Sequence, residues 1–225
     1  MINPACLFIV FHLLKILYSF IFYSSHKTTN QMKFLFNSAA LVTLLCFSMA
    51  TQAQRLKLKE GDLAALKNET AINFEFTYDN MSVGKFATEK EYLDKKTAEY
   101  NKKEAGRGDN WAKSWAADRQ ARFEPKFIEL FTKASGMTES KTAKYTIIFK
   151  TKSTEPGYNI VISRKNAQID ADAVIVETAN KSKVIALITV DNALGRTFGG
   201  YDYDTGLRIG EAYADAGKAL GKYIK

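Results

Sequence analysis

Two neighbouring runs in the C-terminal half limit the fold more than anything else in the chain. Ala171-Asp172-Ala173-Val174-Ile175-Val176-Glu177-Thr178 and Lys183-Val184-Ile185-Ala186-Leu187-Ile188-Thr189-Val190 are dominated by β-branched side chains, and Ala-Asn-Lys-Ser lies between them. Branching at Cβ suits the pleated surface of a sheet, so the pair reads as a β-hairpin. Apolar residues from Ala173 to Val176 and from Val184 to Ile188 are almost unbroken, which predicts strands covered on both faces. The wider stretch from Tyr145 to Asn192 reads as three strands, followed by a glycine-rich turn and a last helix.

Upstream, Arg55 to Glu69 alternates Leu with Lys and then runs Asp62-Leu63-Ala64-Ala65-Leu66, the pattern of a short strand followed by a helical turn. Ile72, Phe74, Phe76 and Tyr78 alternate strictly with polar residues and predict a strand. Thr88-Glu89-Lys90-Glu91 is a capping box, and the charged helix it opens runs to about Ala105 and stops at Gly106. A second helix is expected from Asp109 as N-cap. It carries Trp111, Trp115, Phe123, Phe127, Leu130 and Phe131 in one stripe, which at helical spacing covers a sheet face. The functional alternative is a ligand groove lined by Trp111 and Trp115, with Arg119 one turn on. Pro125 kinks this helix or restarts it, and Gly136 ends it.

Tyr145, Ile147 and Phe149 alternate within the next strand, Lys144 to Lys152, and Thr154-Glu155-Pro156-Gly157 is a turn. Tyr158 to Ser163 reads as a strand or an extended crossing, and Arg164 to Asp170 as a loop. In the last helix, capped by Asp204 or Thr205, Ile209, Tyr213, Ala216, Leu220 and Tyr223 share an apolar face. Gly206, Gly210, Ala214, Gly217 and Gly221 line an adjacent face. A glycine costs a helix about 1 kcal/mol per position, so this face predicts close backbone approach to a sheet or partner.

The beginning of the chain reads differently. Met32-Lys33, an apolar run from Phe34 to Phe47 and the small residues of Met49-Ala50-Thr51-Gln52-Ala53 have the order of a signal peptide, with cleavage after Ala53 leaving Gln54 first. Residues 1–31 hold a further apolar segment, Ala5 to Tyr23. It fits a transmembrane helix or sequence upstream of a true start at Met32, and the second is preferred. Thr43-Leu44-Leu45-Cys46 is not taken as a lipidation site, because Leu45 is too large for the position before the cysteine.

Cleavage would remove Cys6, Cys46, His12 and His26, the only cysteines and histidines in the sequence. That excludes disulfides, thiolate and imidazole nucleophiles, histidine acid–base catalysis and the usual zinc and copper ligand sets. The remaining ~170 residues suffice for one core without staples. Loss of Lys15, Lys27 and Lys33 takes 32 basic side chains to 29 against 24 acidic ones, a net charge of +5 in place of +8. The lysines are interspersed with acids rather than gathered in a stripe, so no nucleic-acid partner is expected. Weak attraction to an anionic envelope surface stays open.

The segment richest in chemistry is Gly195 to Asp204. It brings Asp202 and Asp204 near Asp191 and Glu211 in sequence, with Arg196 and Arg208 beside them. Paired carboxylates can hydrolyse glycans and oxygen ligands can hold calcium, but Asp202-Tyr203-Asp204 lacks the rest of a calcium loop and Asp204 serves as a cap. Gly195 to Gly200 has no Gly-Lys-Ser/Thr and is not a phosphate loop. Arg107-Gly108-Asp109, an adhesion tripeptide elsewhere, is accounted for by a helix break and a cap.

Tyr-Thr-Ile-Ile-Phe at 145–149, Glu-Pro-Gly at 155–157, Ala-Asp-Ala-Val-Ile-Val-Glu at 171–177, Lys-Val-Ile-Ala-Leu at 183–187, the Gly-Gly turn and the small-residue helix follow a strand and a long helical insertion. This order, from about residue 70 to 225, resembles uncharacterised exported α/β proteins of Gram-negative bacteria, similar in layout to small outer-membrane lipoproteins and secretion-accessory proteins. The resemblance implies an envelope setting and no catalytic residues. The chain departs from the lipoprotein members in having no lipidation motif.

The sequence therefore predicts one α+β domain over residues 54–225, a mixed sheet of four or five strands with helices chiefly on one face. It predicts an exported, non-enzymatic envelope protein, periplasmic or secreted, that binds an envelope protein or small ligand or assists assembly. It predicts no cofactor, no metal and no stable membrane span after cleavage. The alternative is a carboxylate-dependent enzyme acting on envelope glycans. Candidate ligand-binding residues are Trp111, Trp115, Arg119, Asp191, Arg196, Tyr201, Asp202 and Arg208.

Overall fold

Strand β1 (Arg55–Gly61), strand β2 (Ala71–Thr77) and the two-residue β3 (Ser82–Val83) precede three helical segments: α1 (Glu89–Asn101), α2 (Arg107–Asp118) and α3 (Glu124–Ser135). Then come β4 (Thr138–Glu139), β5 (Tyr145–Glu155), the small hairpin β6 (Tyr158–Asn159) and β7 (Arg164–Lys165), the long hairpin β8 (Ala167–Glu177) and β9 (Asn180–Gly195), and α4 (Thr205–Ile224). The structure is a computed structural model that describes residues 55–160, 162–195 and 204–225. The expected leader and signal peptide, and the segment holding Arg196, Gly199, Gly200, Tyr201 and Asp202, lie outside the described residues.

The main sheet runs β1-β9-β8-β5-β2-β4, with β3 joined to β5. It is mixed: β2 is parallel to β5 and to β4, β3 is parallel to β5, and the other pairs are antiparallel. The α+β class is as the sequence predicts. Seven strands replace the expected four or five, because β3 and β4 are too short to carry any periodicity.

The hairpin at the centre is longer than its β-branched runs. Strand β8 begins at Ala167, inside the expected loop, because Ala167, Ile169 and Ala171 continue the buried alternation, and of the three only Ile169 is a residue type that advertises a strand. Strand β9 continues past Val190 through a bulge at which Asn192 takes φ +58°. Asp170 Oδ1 accepts from the Asn192 backbone N–H at 2.8 Å and Gln168 Nε2 donates to Asn192 Oδ1 at 2.7 Å, so the irregularity is satisfied by its neighbours.

Helices cover one face of the sheet. Phe74 and Phe76 of β2 and Phe149 of β5 meet Phe127 of α3, with ring centroids 5.9, 5.4 and 4.5 Å away, and Tyr213 of α4 stacks on Phe123 at 5.1 Å. The other face carries no helix among the described residues, in contrast to the two-sided cover expected from the unbroken apolar runs. There Ile148, Val174 and Leu187 lie side by side in register across three strands, half-buried. Ion pairs flank them, Lys152–Asp172 at 2.8 Å and Lys183–Glu177 at 2.6 Å. Mutual contact among neighbouring strands shields this apolar strip, which periodicity cannot distinguish from helix cover.

The glycines of α4 face helix α3 and the segment before it rather than the sheet. A Cβ on Gly217 would fall on the Phe127 carbonyl, and one on Gly221 would lie 2.6 Å from the Phe131 carbonyl. Backbone therefore packs on backbone along this seam.

The insertion between β2 and β5 begins as the capping box predicts, with Thr88 Oγ1 accepting from the Glu91 amide at 3.3 Å. Helix α2, however, starts at Arg107 behind Gly106 in a left-handed conformation, φ +78°, and Asp109 sits in its first turn rather than at the cap. Asn101 makes the closing contacts: its Oδ1 accepts the Gly108 amide at 2.7 Å and its Nδ2 donates to Asp109 at 3.1 Å. A Cβ at Gly108 would strike the Thr97 backbone, so Arg107-Gly108-Asp109 is the helical crossing point of α1 and α2.

Residues Arg119–Phe123 form a π-helical turn between α2 and α3. Pro125 lies in the first turn of α3. Its missing N–H and its ring disfavour an uninterrupted α-helix, and widening of the preceding turn accommodates both.

Candidate functional site

The sequence candidates occupy two separate environments. Trp111 and Trp115 pack between α1 and α2, 5.8 Å from each other and 5.8 and 5.1 Å from Tyr92. Glu89, at the start of α1, accepts the Trp115 indole N–H at 2.6 Å and the Arg119 guanidinium at 2.5 and 2.6 Å. The Arg119 guanidinium also lies 4.1 Å from the centroid of the Tyr78 ring, and Tyr78 donates to Glu124 at 3.2 Å. Burial, reinforced by Tyr213 and Glu124, pushes the Tyr78 phenol far above its ordinary range, so it acts as a hydrogen-bond donor and not as a proton carrier. The stripe thus divides. Phe127 and Phe131 sit on the sheet, Phe123 stacks on Tyr213 of α4, and the tryptophans seal the α1–α2 hairpin.

Arg208 belongs to the other environment. It is 4% exposed, and it donates to the Pro156 carbonyl at 3.1 Å, the Gly157 carbonyl at 3.4 Å and Thr205 Oγ1 at 3.0 Å. It ties the start of α4 to the turn after β5. Asp191 is half-buried on β9, opposite Arg55 in register. Arg196, Tyr201 and Asp202 fall outside the described residues.

A third arrangement joins the expected Asp204 cap to Arg122, a contact that the sequence does not announce. At the N-terminus of α4, Asp204 caps the helix by accepting from the Gly206 and Leu207 amides at 2.8 and 3.3 Å. Its other oxygen accepts from Arg122 of the π-turn at 2.5 Å. Arg122 also pairs with Asp118 at 3.1 Å, and one turn further Lys126 pairs with Glu211. The result is a carboxylate–guanidinium–carboxylate bridge across the seam between the helices. Beside it a groove of about 250 Å³ is bordered by Arg122, Pro125, Lys126, Leu207 and Gly210.

The two carboxyls of the bridge are displaced in opposite directions. Burial raises Asp118 above the ordinary carboxylate range, with Arg122 opposing and Asp204 assisting. Burial also works to raise Asp204, but hydrogen bonds from Arg122, Leu207 and Gly206 and the charge of Arg122 outweigh it and hold Asp204 below that range. Among the described residues no cluster of three or more His, Cys, Asp or Glu side chains is placed to hold a metal ion. No helix among them is long and apolar enough to cross a membrane.

The pH dependence of stability follows from these directions. A carboxyl whose folded pKa is depressed stabilises the fold above its unfolded pKa, and that contribution disappears as pH falls through the folded value. Asp204→Asn keeps the capping oxygen and removes the charge. The melting temperature of this variant is expected to lie below that of the unsubstituted protein at neutral pH. The gap should close as the pH drops below the ordinary carboxylate value of 3.8. Thermal unfolding followed by circular dichroism across this window checks it.

No known protein family and no curated protein matches the chain. Among solved structures it is similar to a PelC dodecamer from Paraburkholderia phytofirmans, at 10% identity and a TM-score of 0.32, over 73% of this chain and 97% of that one. A likeness this faint carries no argument about function.

Proposed function

We propose that the chain is an exported protein of the cell envelope that binds a partner or assists assembly and does not catalyse a reaction. The engagement of its carboxylates supports this reading most. Asp204 is ionised, caps a helix and holds Arg122, while Glu211 is paired with Lys126. An ionised Asp204 has no proton to give a leaving group, which glycan hydrolysis requires of one carboxyl of a pair. The signal-peptide pattern at residues 32–53 supports export.

One observation favours the rival, a carboxylate-dependent enzyme acting on envelope glycans. Asp118 is raised and Asp204 lowered beside the same groove, and opposite displacement of two carboxyls is how acid and base roles are divided. Incubation of the protein with purified envelope glycan separates the two readings. The proposal expects no release of soluble fragments. Release that disappears in an Asp118→Asn, Asp204→Asn variant of unchanged circular dichroism would establish the enzyme instead.

A further inference from the structure

Strand β1 opens the fold from the edge of the sheet, where it pairs with β9 alone. Beyond that pairing, the Leu58 amide donates to the Tyr223 hydroxyl of α4 at 3.2 Å, and Leu56 and Leu58 pack against the core. The register with β9 begins at Arg55, opposite Asp191. Cleavage after Ala53 therefore leaves β1 whole and puts a single residue, Gln54, ahead of it. The first paired residue of the fold thus lies one position beyond the first residue of the expected mature chain.

A glutamine in that position carries both halves of a reaction. Its α-amine is a nucleophile, and with an ordinary pKa of about 8 a share of it is unprotonated at neutral pH. The electrophile is Cδ of its own side-chain amide, at the distance that closes a five-membered ring. Gln54 lies outside the described residues, but both reacting atoms belong to it, so no neighbour has to position them.

We propose that Gln54 is a modification site, and that the exported chain carries a pyroglutamyl N-terminus formed by this ring closure. The bond from the α-nitrogen to Cδ forms and the bond from Cδ to Nε2 breaks. The proton shed by the attacking amine goes to the departing nitrogen, which leaves as ammonia. Nothing is oxidised or reduced, and no co-reactant is consumed. The modification rests on the export reading, because a chain that keeps its leader has a peptide bond where the nucleophile must be. Its consequence falls on β1. Proteolysis concentrates at chain ends, and trimming inward from Arg55 would strip the edge strand that seats Leu56 and Leu58. The lactam has no free α-amine, so an aminopeptidase has nowhere to start.

The test is the intact mass of the protein recovered from fractionated cells expressing the full sequence, taken after prolonged warm incubation at neutral pH. Stepwise N-terminal degradation and aminopeptidase digestion are run on the same sample. The expected species begins at residue 54, is lighter by one ammonia than its sequence requires, yields no residue in the first degradation cycle and withstands the aminopeptidase. Gln54→Asn is the control. Its side chain is one methylene shorter and cannot close the five-membered ring, so this variant should keep its full mass, yield to degradation and be shortened by the enzyme. A species that begins at Gln54 with full mass and a free amine overturns the proposal and leaves export standing. A species that retains Met1 or Met32 overturns both, and one that begins at any other residue overturns the lactam and moves the cleavage site. Loss of the same mass in the Gln54→Asn variant places the reaction elsewhere and overturns the proposal as well.

Discussion

Gly217→Ala is expected to lower the free energy of unfolding by about 2–3 kcal/mol, the cost of forcing extra volume into a closed contact. The same substitution at Gly210, in the same helix, is expected to raise it by up to about 1 kcal/mol. The opposite signs come from what each Cβ would meet. At Gly217 it would sit on the carbonyl oxygen of Phe127, a backbone atom that no rotamer change can move, so α3 and α4 must separate. At Gly210 the nearest atoms are side-chain carbons of Lys126, Arg122 and Phe123 at 3.6–3.9 Å, ordinary van der Waals distances. Alanine there relieves the entropic penalty of glycine in a helix without a clash. Equilibrium urea unfolding of both variants gives the comparison, and an equal effect at the two positions would contradict the close seam.

Phe127→Ala is expected to cost about 3–5 kcal/mol. Phe127 is wholly buried and stands between helix and sheet, with Phe149, Phe76, Phe74 and Phe131 around it at 4.5, 5.4, 5.9 and 6.2 Å. Those rings come from α3, β2 and β5, so a truncated side chain leaves a cavity that no single element can collapse into. The protein has no disulfide among its described residues to hold it together if this contact is lost, since the sequence has cysteines only at Cys6 and Cys46. Unfolding in urea measures the loss. A change below about 1 kcal/mol would mean that α3 is not seated on the sheet as described. Because Phe127 also contributes the carbonyl facing Gly217, the two substitutions should not be additive.

The elements that repeat a simple period were legible from the sequence. Alternation gave β2 and the start of β5, capping chemistry gave the first turn of α1, and β-branched runs gave the middle of the β8–β9 hairpin. What escaped was set by partners remote in the chain. Ala167 to Asp170 is a strand because it faces β5 on one side and the bulged end of β9 on the other, not because its residues favour one. Asn101 in place of Asp109 closes the start of α2 because Gly108 must lie against Thr97.

The candidate site shows the same division. Asp118 and Arg122 are four apart on a helix, and that pair can be read directly. The contact of Arg122 with Asp204 spans 82 positions, and nothing local announces it. Trp111, Trp115 and Arg119 were singled out by residue type, and the structure places them together around Glu89 while Arg208 and Asp191 lie elsewhere. Ile160 and Ile162 fall in a stretch, Tyr158 to Ser163, that reads as a strand or an extended crossing until the Ile160–Ser163 backbone hydrogen bond shows that the chain turns back there.

The proposed envelope role requires, before anything else, that the chain leave the cytosol with its leader removed. Intact-mass measurement of the protein recovered from fractionated cells expressing the full sequence tests this most directly. The expected result is a periplasmic or secreted species that begins at Gln54 and has lost Cys6, Cys46, His12 and His26. A cytosolic species retaining Met1 or Met32 would contradict it.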